Sequence, residues 1–84
     1  MFNLEYSKQA LSFLKKSDRI IVSRIIIKVE SLREKPIIHD TKRVEGFKEK
    51  LFRVRVGDYR ILYEVGYSRN VVGIVKIDKR ARVY

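Results

Sequence analysis

Cysteine is absent from the 84 residues, which excludes disulfides and cysteine-based zinc sites. Histidine occurs once, as His39, too few for a histidine cluster, and it reads as a loop residue. Acidic side chains are scarce, 10 against 20 Lys and Arg, for a net charge of +10. The longest apolar run, IIVSRIII, is too short and too interrupted to span a bilayer. The opening residues FNLEYSKQALSF lack the charged segment and unbroken apolar core of a secretory signal. Ser/His/Asp sets, phosphate-binding glycine loops and carboxylate clusters fit for magnesium are all missing. These absences predict a cytoplasmic protein without membrane contact, metal or cofactor. The length predicts one domain over residues 1–84, near the lower limit for a self-sufficient core.

What is present is positive charge, unevenly placed. Residues 1–41 carry eight basic and five acidic side chains, whereas residues 42–84 carry twelve and five. An excess of this kind suits phosphate-bearing partners, because neutralising phosphates releases counterions. A solvated basic surface without a partner is the plainer alternative.

Periodicity predicts an α+β order. Residues 2–6 alternate as a short strand. Ser7 is a candidate N-cap for a helix containing Ala10, Leu11 and Leu14 and ending at the Lys15-Lys16-Ser17 break. Asp18 caps a second helix reaching about Glu34, with Val22, Ile25, Ile26, Val29 and Leu32 on one stripe. Pro36 disfavours helical geometry at Lys35 and closes it. Ile20, Ile21 and Ile27 widen the apolar face, as a broad core contact or as a ridge for a partner segment. Residues 36–49 show little periodicity and read as a connection. Strands are expected at roughly 50–56, 59–65 and 71–78, giving an N-terminal strand, two helices and a three-stranded antiparallel meander.

The meander carries the most specific signal. Gly57-Asp58 suits a II′ turn joining LFRVRV to YRILYEV. If Val56 faces Tyr59, then Arg55 faces Arg60 and Arg53 faces Leu62, all on one side. Phe52, Val54, Ile61 and Tyr63 fall on the other side as core. Like charges opposed on a sheet are destabilising, so an Arg–Arg pair suggests an anionic guest. The structural alternative is pairing of Arg55 and Arg60 with Glu64 or Asp58. Chemistry built from cations and a tyrosine suits one reaction, attack of an RNA 2′-OH on the adjacent phosphorus. Cations would stabilise the charge on the phosphorane, and an aromatic ring would splay the bases.

The strand, the helix pair, the KRVEG loop, FRVRVGDYRILYEV and the terminal KRARVY together resemble the RelE toxins of the RelE/ParE toxin–antitoxin superfamily, over nearly the whole chain. The resemblance implies a type II toxin that is a ribosome-dependent, metal-independent mRNA endoribonuclease. It also implies a RelB-like antitoxin as partner, with DNA reached only through that antitoxin. Carried over by motif, Arg53 and Arg55 occupy the basic central-strand positions, where other members have lysines, one of them proposed as general base. Arginine stays protonated and favours charge stabilisation, which leaves the base unassigned. Arg60 matches the phosphate-clamping arginine, Arg80 the transition-state arginine or proton donor, and Tyr84 the catalytic or stacking tyrosine. The alternatives are a frayed basic tail for Arg80 and Arg82 and a packing anchor for Tyr84. Tyr84 lies four positions after Arg80, where some members continue into a further helix. Lys15, Lys16, Lys42, Lys48, Lys76 and Arg82 are candidates for RNA or ribosome contacts. Two rivals share the fold or the charge: a ParE-type gyrase-blocking toxin and a non-catalytic RNA-binding module.

Overall fold

The computed structural model describes residues 1–46 and 50–79. Its elements are β1 (Asn3–Tyr6), α1 (Lys8–Lys16), α2 (Arg19–Glu34), β2 (Lys42–Val44), β3 (Leu51–Val56), β4 (Tyr59–Gly66) and β5 (Val71–Lys79). The strands form one mixed sheet in the order β1-β5-β4-β3-β2, with β1 parallel to β5 and the other pairs antiparallel. The expected α+β order holds, and the sheet is wider than a three-stranded meander. The added strand, β2, lies inside the connection read at residues 36–49. Three residues are too few to display a period of two.

Local chemistry sets the helix ends. The Ser7 hydroxyl accepts from the Ala10 N–H at 3.1 Å, and Asp18 Oδ1 accepts from the Ile21 N–H at 3.0 Å. Both are N-caps satisfying donors with no partner inside the helix. At the far end of α2 the Lys35 N–H still reaches the Ser31 carbonyl, and Pro36 ends the helix there. The stripe on α2 buries Ile25, Val29 and Leu32 completely, with Val22 and Ile26 partly covered. Ala10 of α1 joins them against Val54, Val56, Ile61 and Tyr63 of the sheet. Each large aliphatic side chain removed from water stabilises the fold by about 1.5–3 kcal/mol. Ile21 packs onto this core, while Ile20 and Ile27 remain 71% and 69% exposed.

Strand β5 cannot alternate strictly. A regular strand over VVGIVKIDK would turn Lys76 and Asp78 to the same side as Val72 and Ile74. The register instead shifts between Leu62 and Tyr63: Leu62 faces Lys76, Tyr63 faces Ile74, and Val75 is the extra residue of a β-bulge. The bulge resets the alternation, so Val72, Ile74 and Ile77 are all buried in the core.

Tyr63 fixes the connection between α2 and β2 to the sheet. Its ring is fully buried and its hydroxyl donates to the Pro36 carbonyl. The same oxygen lies 3.0 Å from Thr41 Oγ1, which itself accepts from the Ile38 N–H. Burial raises the phenol pKa, so the hydroxyl stays a neutral donor. Beside it, Lys28 Nζ on α2 donates to Asp40 Oδ2 at 2.9 Å. This hydrogen bond holds the Asp40 carboxyl below its ordinary pKa.

Two outcomes follow for stability. Tyr63→Phe removes the hydroxyl shared by Pro36 and Thr41, and thermal melting should register a loss of about 1–2 kcal/mol. For a domain of this size that corresponds to roughly 5–15 °C in Tm. An unchanged Tm would show that the hydroxyl does not fix the connection. A carboxyl with a depressed folded pKa stabilises above its unfolded pKa and loses that contribution as pH falls through the folded value. Asp40→Asn should therefore cost about 0.5–1 kcal/mol near neutrality, given the partly exposed pair, and nothing at pH values below the folded pKa. Melting curves that stay equally far apart in acid would contradict this assignment.

Candidate functional site

The helices cover one face of the sheet, and the other face carries the cations. The hairpin register places Val56 against Tyr59, Arg55 against Arg60 and Arg53 against Leu62. Gly57 has φ +58 while Asp58 has negative φ, the sign pattern of a II′ turn. Positive φ is easy for glycine, and here the space is also limited. A Cβ at Gly57 would lie 3.2 Å from Nη2 of Arg24, whose guanidinium folds over the turn from α2.

Adding the neighbouring strands gives two rows across the open face. The first row is Lys42, Arg53, Leu62 and Lys76, and the second is Arg55, Arg60 and Asp78. Five cations and one carboxylate thus share the two rows. Between them and the far end of the sheet, Val44, Leu51 and Leu62 are buried, and Val75 packs on them. This apolar patch sits on the face opposite the helical core, so the cations border a surface of low polarisability. Interactions between charges are stronger there than in bulk water.

The carboxylates within reach do not neutralise this face. Among the described residues, the ion pairs are Lys28–Asp40, Arg33–Glu30 and Arg69–Glu5, none of which involves Arg53, Arg55 or Arg60. Asp78 Oδ1 instead accepts from the Lys79 backbone N–H at 2.8 Å. Glu64 projects over Gly73, where a Cβ would meet its carboxylate at 3.3 Å. Arg60 is partly buried, and its Nε is enclosed without a hydrogen-bond partner among the described residues. A dry, unsatisfied donor costs on the order of 1–3 kcal/mol. An anion is the kind of group that would satisfy such a donor beside a second arginine.

The remaining sequence candidates separate by location. Lys42 and Lys76 join the cationic face. Lys15 and Lys16 lie at the C-terminus of α1, exposed in the helical layer rather than on the open face. Lys16 borders a groove at the end of the sheet together with Tyr59, Asp78 and Lys79. Lys48, Arg80, Arg82 and Tyr84 lie outside the described residues. Tyr59 and Tyr63 belong to the helix side as packing residues, Tyr59 in edge contact with Phe13 at 5.7 Å between centroids. Sequence reasoning missed Arg24. Together with Lys28, His39 and Arg55 it borders a groove of about 580 Å3 between α2 and the end of β3. Nothing in its local sequence marks Arg24 as a neighbour of the turn. Among the described residues, no three His, Asp or Glu side chains converge as a metal site, and no helix is long and apolar enough to cross a membrane.

Comparison with known proteins places this arrangement in a family. The family model described as the ParE toxin of the type II toxin–antitoxin system parDE matches residues 4–84. The RelE1 protein of Methanocaldococcus jannaschii is 31% identical over 86 residues, covering 99% of this chain and 94% of the relative. The archaeal RelE–RelB complex from Pyrococcus horikoshii OT3 superposes with a TM-score of 0.82 at 27% identity, covering 98% of each chain. The intact RelBE toxin–antitoxin complex of E. coli shares the fold, with a TM-score of 0.83 at 21% identity over 98% of this chain and 100% of the other. A family match over almost the full length and a relative of this identity end to end agree with the fold: the chain belongs to the RelE/ParE superfamily of type II toxin–antitoxin toxins, as a RelE toxin.

Proposed function

We propose that this toxin is a ribosome-dependent endoribonuclease that cuts mRNA in the cytoplasm by activating the substrate's own 2′-OH. The observation that carries the reading is the Arg55–Arg60 pair, opposed across β3 and β4 without a carboxylate partner among the described residues. In this reading a phosphodiester bridges the two guanidiniums, which hold the phosphorus in line with the 2′-oxygen. The new bond forms between the 2′-oxygen and phosphorus, and the bond to the 5′-oxygen breaks. Negative charge grows on the non-bridging oxygens between these states, and fixed cations bind that charge best at its maximum. Arg53 and Lys76 lie in the adjacent row and are assigned to the neighbouring phosphates. Arg80 and Tyr84 are proposed for leaving-group protonation and base stacking, by resemblance to the family. Arginines stay protonated, so removal of the 2′-proton is assigned to a group other than Arg53 and Arg55, on the toxin or on the ribosome.

The partner follows from the same charge. A RelB-like antitoxin is proposed, because the solved relatives include RelE–RelB complexes and because a chain of net charge +10 favours an acidic wrapping segment. The ParE reading is kept as a second hypothesis, since the matching family model bears that name. The two differ in target, gyrase against ribosome-bound mRNA.

Primer extension on an mRNA in a translating extract distinguishes them. The nuclease reading expects discrete cuts that need ribosomes, and undiminished supercoiling by purified gyrase. Intact mRNA together with blocked gyrase would replace it with the ParE reading. RNA affinity without cuts would leave a binding module. Arg55→Ala and Arg60→Ala should each lower single-turnover cleavage by about 100-fold or more. Neither should reduce Tm, because each relieves like-charge repulsion. A large loss of Tm in either variant would make these arginines structural.

A further inference from the structure

Past Ile74, strand β5 loses its neighbour. The β1–β5 ladder runs from Asn3–Val71 to Tyr6–Ile74 and stops where the chain turns into α1. The next backbone groups of β5 are those around the bulge, and the N-cap and first turn of α1 satisfy them. The Ser7 N–H donates to the Ile74 carbonyl at 2.9 Å, and the Ser7 hydroxyl donates to the Val75 carbonyl at 2.6 Å. That hydroxyl oxygen also accepts from the Ala10 N–H, so helix cap and bulge share one atom. Gln9 then takes the place of a strand. Its Nε2 donates to the Ile77 carbonyl at 2.7 Å, and its Oε1 accepts from the Ile77 N–H at 2.9 Å. One carboxamide thereby makes both hydrogen bonds that a paired strand would offer.

We propose that Ser7 and Gln9 are positioning residues of the cationic face. The clamp holds the bulge at Val75, and the bulge is what turns Lys76 and Asp78 onto the open face, against Leu62 and Arg60. If β5 relaxed to strict alternation beyond Ile74, Lys76 and Asp78 would turn towards the helical core and Ile77 would leave it. The row containing Arg53 would lose its end cation, and Arg60 would lose its neighbour across the strand pair. Burial of Ile77 favours the same register, so the clamp fixes geometry more than it supplies stability. Gln9 is exposed, which limits what its hydrogen bonds add to folding but not the direction they impose on the strand. As far as catalysis is concerned, the proposal rests on the nuclease reading above.

The test uses the full chain and Gln9→Met, which keeps the side-chain length and removes both hydrogen bonds. Tyr63→Phe serves as a stability control on the helix side. The clamp predicts that amide exchange at Ile77 accelerates at least tenfold in Gln9→Met and that nuclear Overhauser contacts between Lys76 and Leu62 weaken. On programmed ribosomes, kcat should fall at least tenfold with KM within about twofold. Tyr63→Phe should keep kcat within twofold despite an equal or larger drop in Tm. Unchanged Ile77 exchange, or kcat losses that follow Tm alike in both variants, would overturn the proposal. Should the wild type leave mRNA intact, the nuclease reading fails by itself. The exchange and Lys76–Leu62 contacts then decide the clamp without reference to activity.

Discussion

The opposition of Arg55 and Arg60 across the β3–β4 hairpin is the constraint on which the other features depend. Two guanidiniums at directly paired positions repel one another. Their register is imposed from below. Val54 and Ile61 pair on the buried side and anchor the strands to Val29 and Leu32 of α2, so a slip of one residue would invert both faces. The glycine at the turn and the guanidinium of Arg24 above it close the hairpin at the same end. The hydrophobic core therefore holds side by side, in fixed geometry, charges that would otherwise separate.

The second face of the sheet has an apolar part and a cationic part. At one end a small apolar cluster of Val44, Leu51 and Leu62 supports the strands, with neither of the two described helices over it. At the other end the arginines face outward. The bulge in β5 reconciles the two demands, keeping Ile77 in the core while Lys76 and Asp78 face out. Without it, the sequence VKIDK satisfies either the core or the charged rows but not both.

Several features are legible in the sequence because they depend on local chemistry. Ser7 and Asp18 cap the two helices as their side chains allow, Pro36 follows the end of α2, and Gly57 fixes a two-residue turn that sets the Arg55–Arg60 register. The features that were not legible are set by distant partners. Strand β2 is defined by its pairing with β3 rather than by its own three residues. The bulge at Val75 reverses the parity that alternation predicts for Lys76 and Ile77, and the groups that hold it come from residues 68 positions away. Arg24 reaches the turn across the fold, where its helix periodicity says only that it is off the core stripe. Charge alone makes Lys15 and Lys16 candidates for RNA contacts beside Lys42 and Lys76, and charge does not say which layer a residue occupies. The terminal positions Arg80 and Tyr84 rest on the family resemblance.

In the proposed function this sheet presents fixed positive charge to a phosphodiester and leaves the nucleophile to the substrate. The chemical identity of the cut ends tests that account most directly. mRNA fragments from programmed ribosomes treated with the wild-type protein are to be analysed by end-specific labelling and mass spectrometry. The account predicts a 2′,3′-cyclic phosphate on the upstream fragment and a 5′-hydroxyl on the downstream one. A 5′-phosphate on the downstream fragment would show that water, not the 2′-OH, attacks phosphorus, and would contradict it.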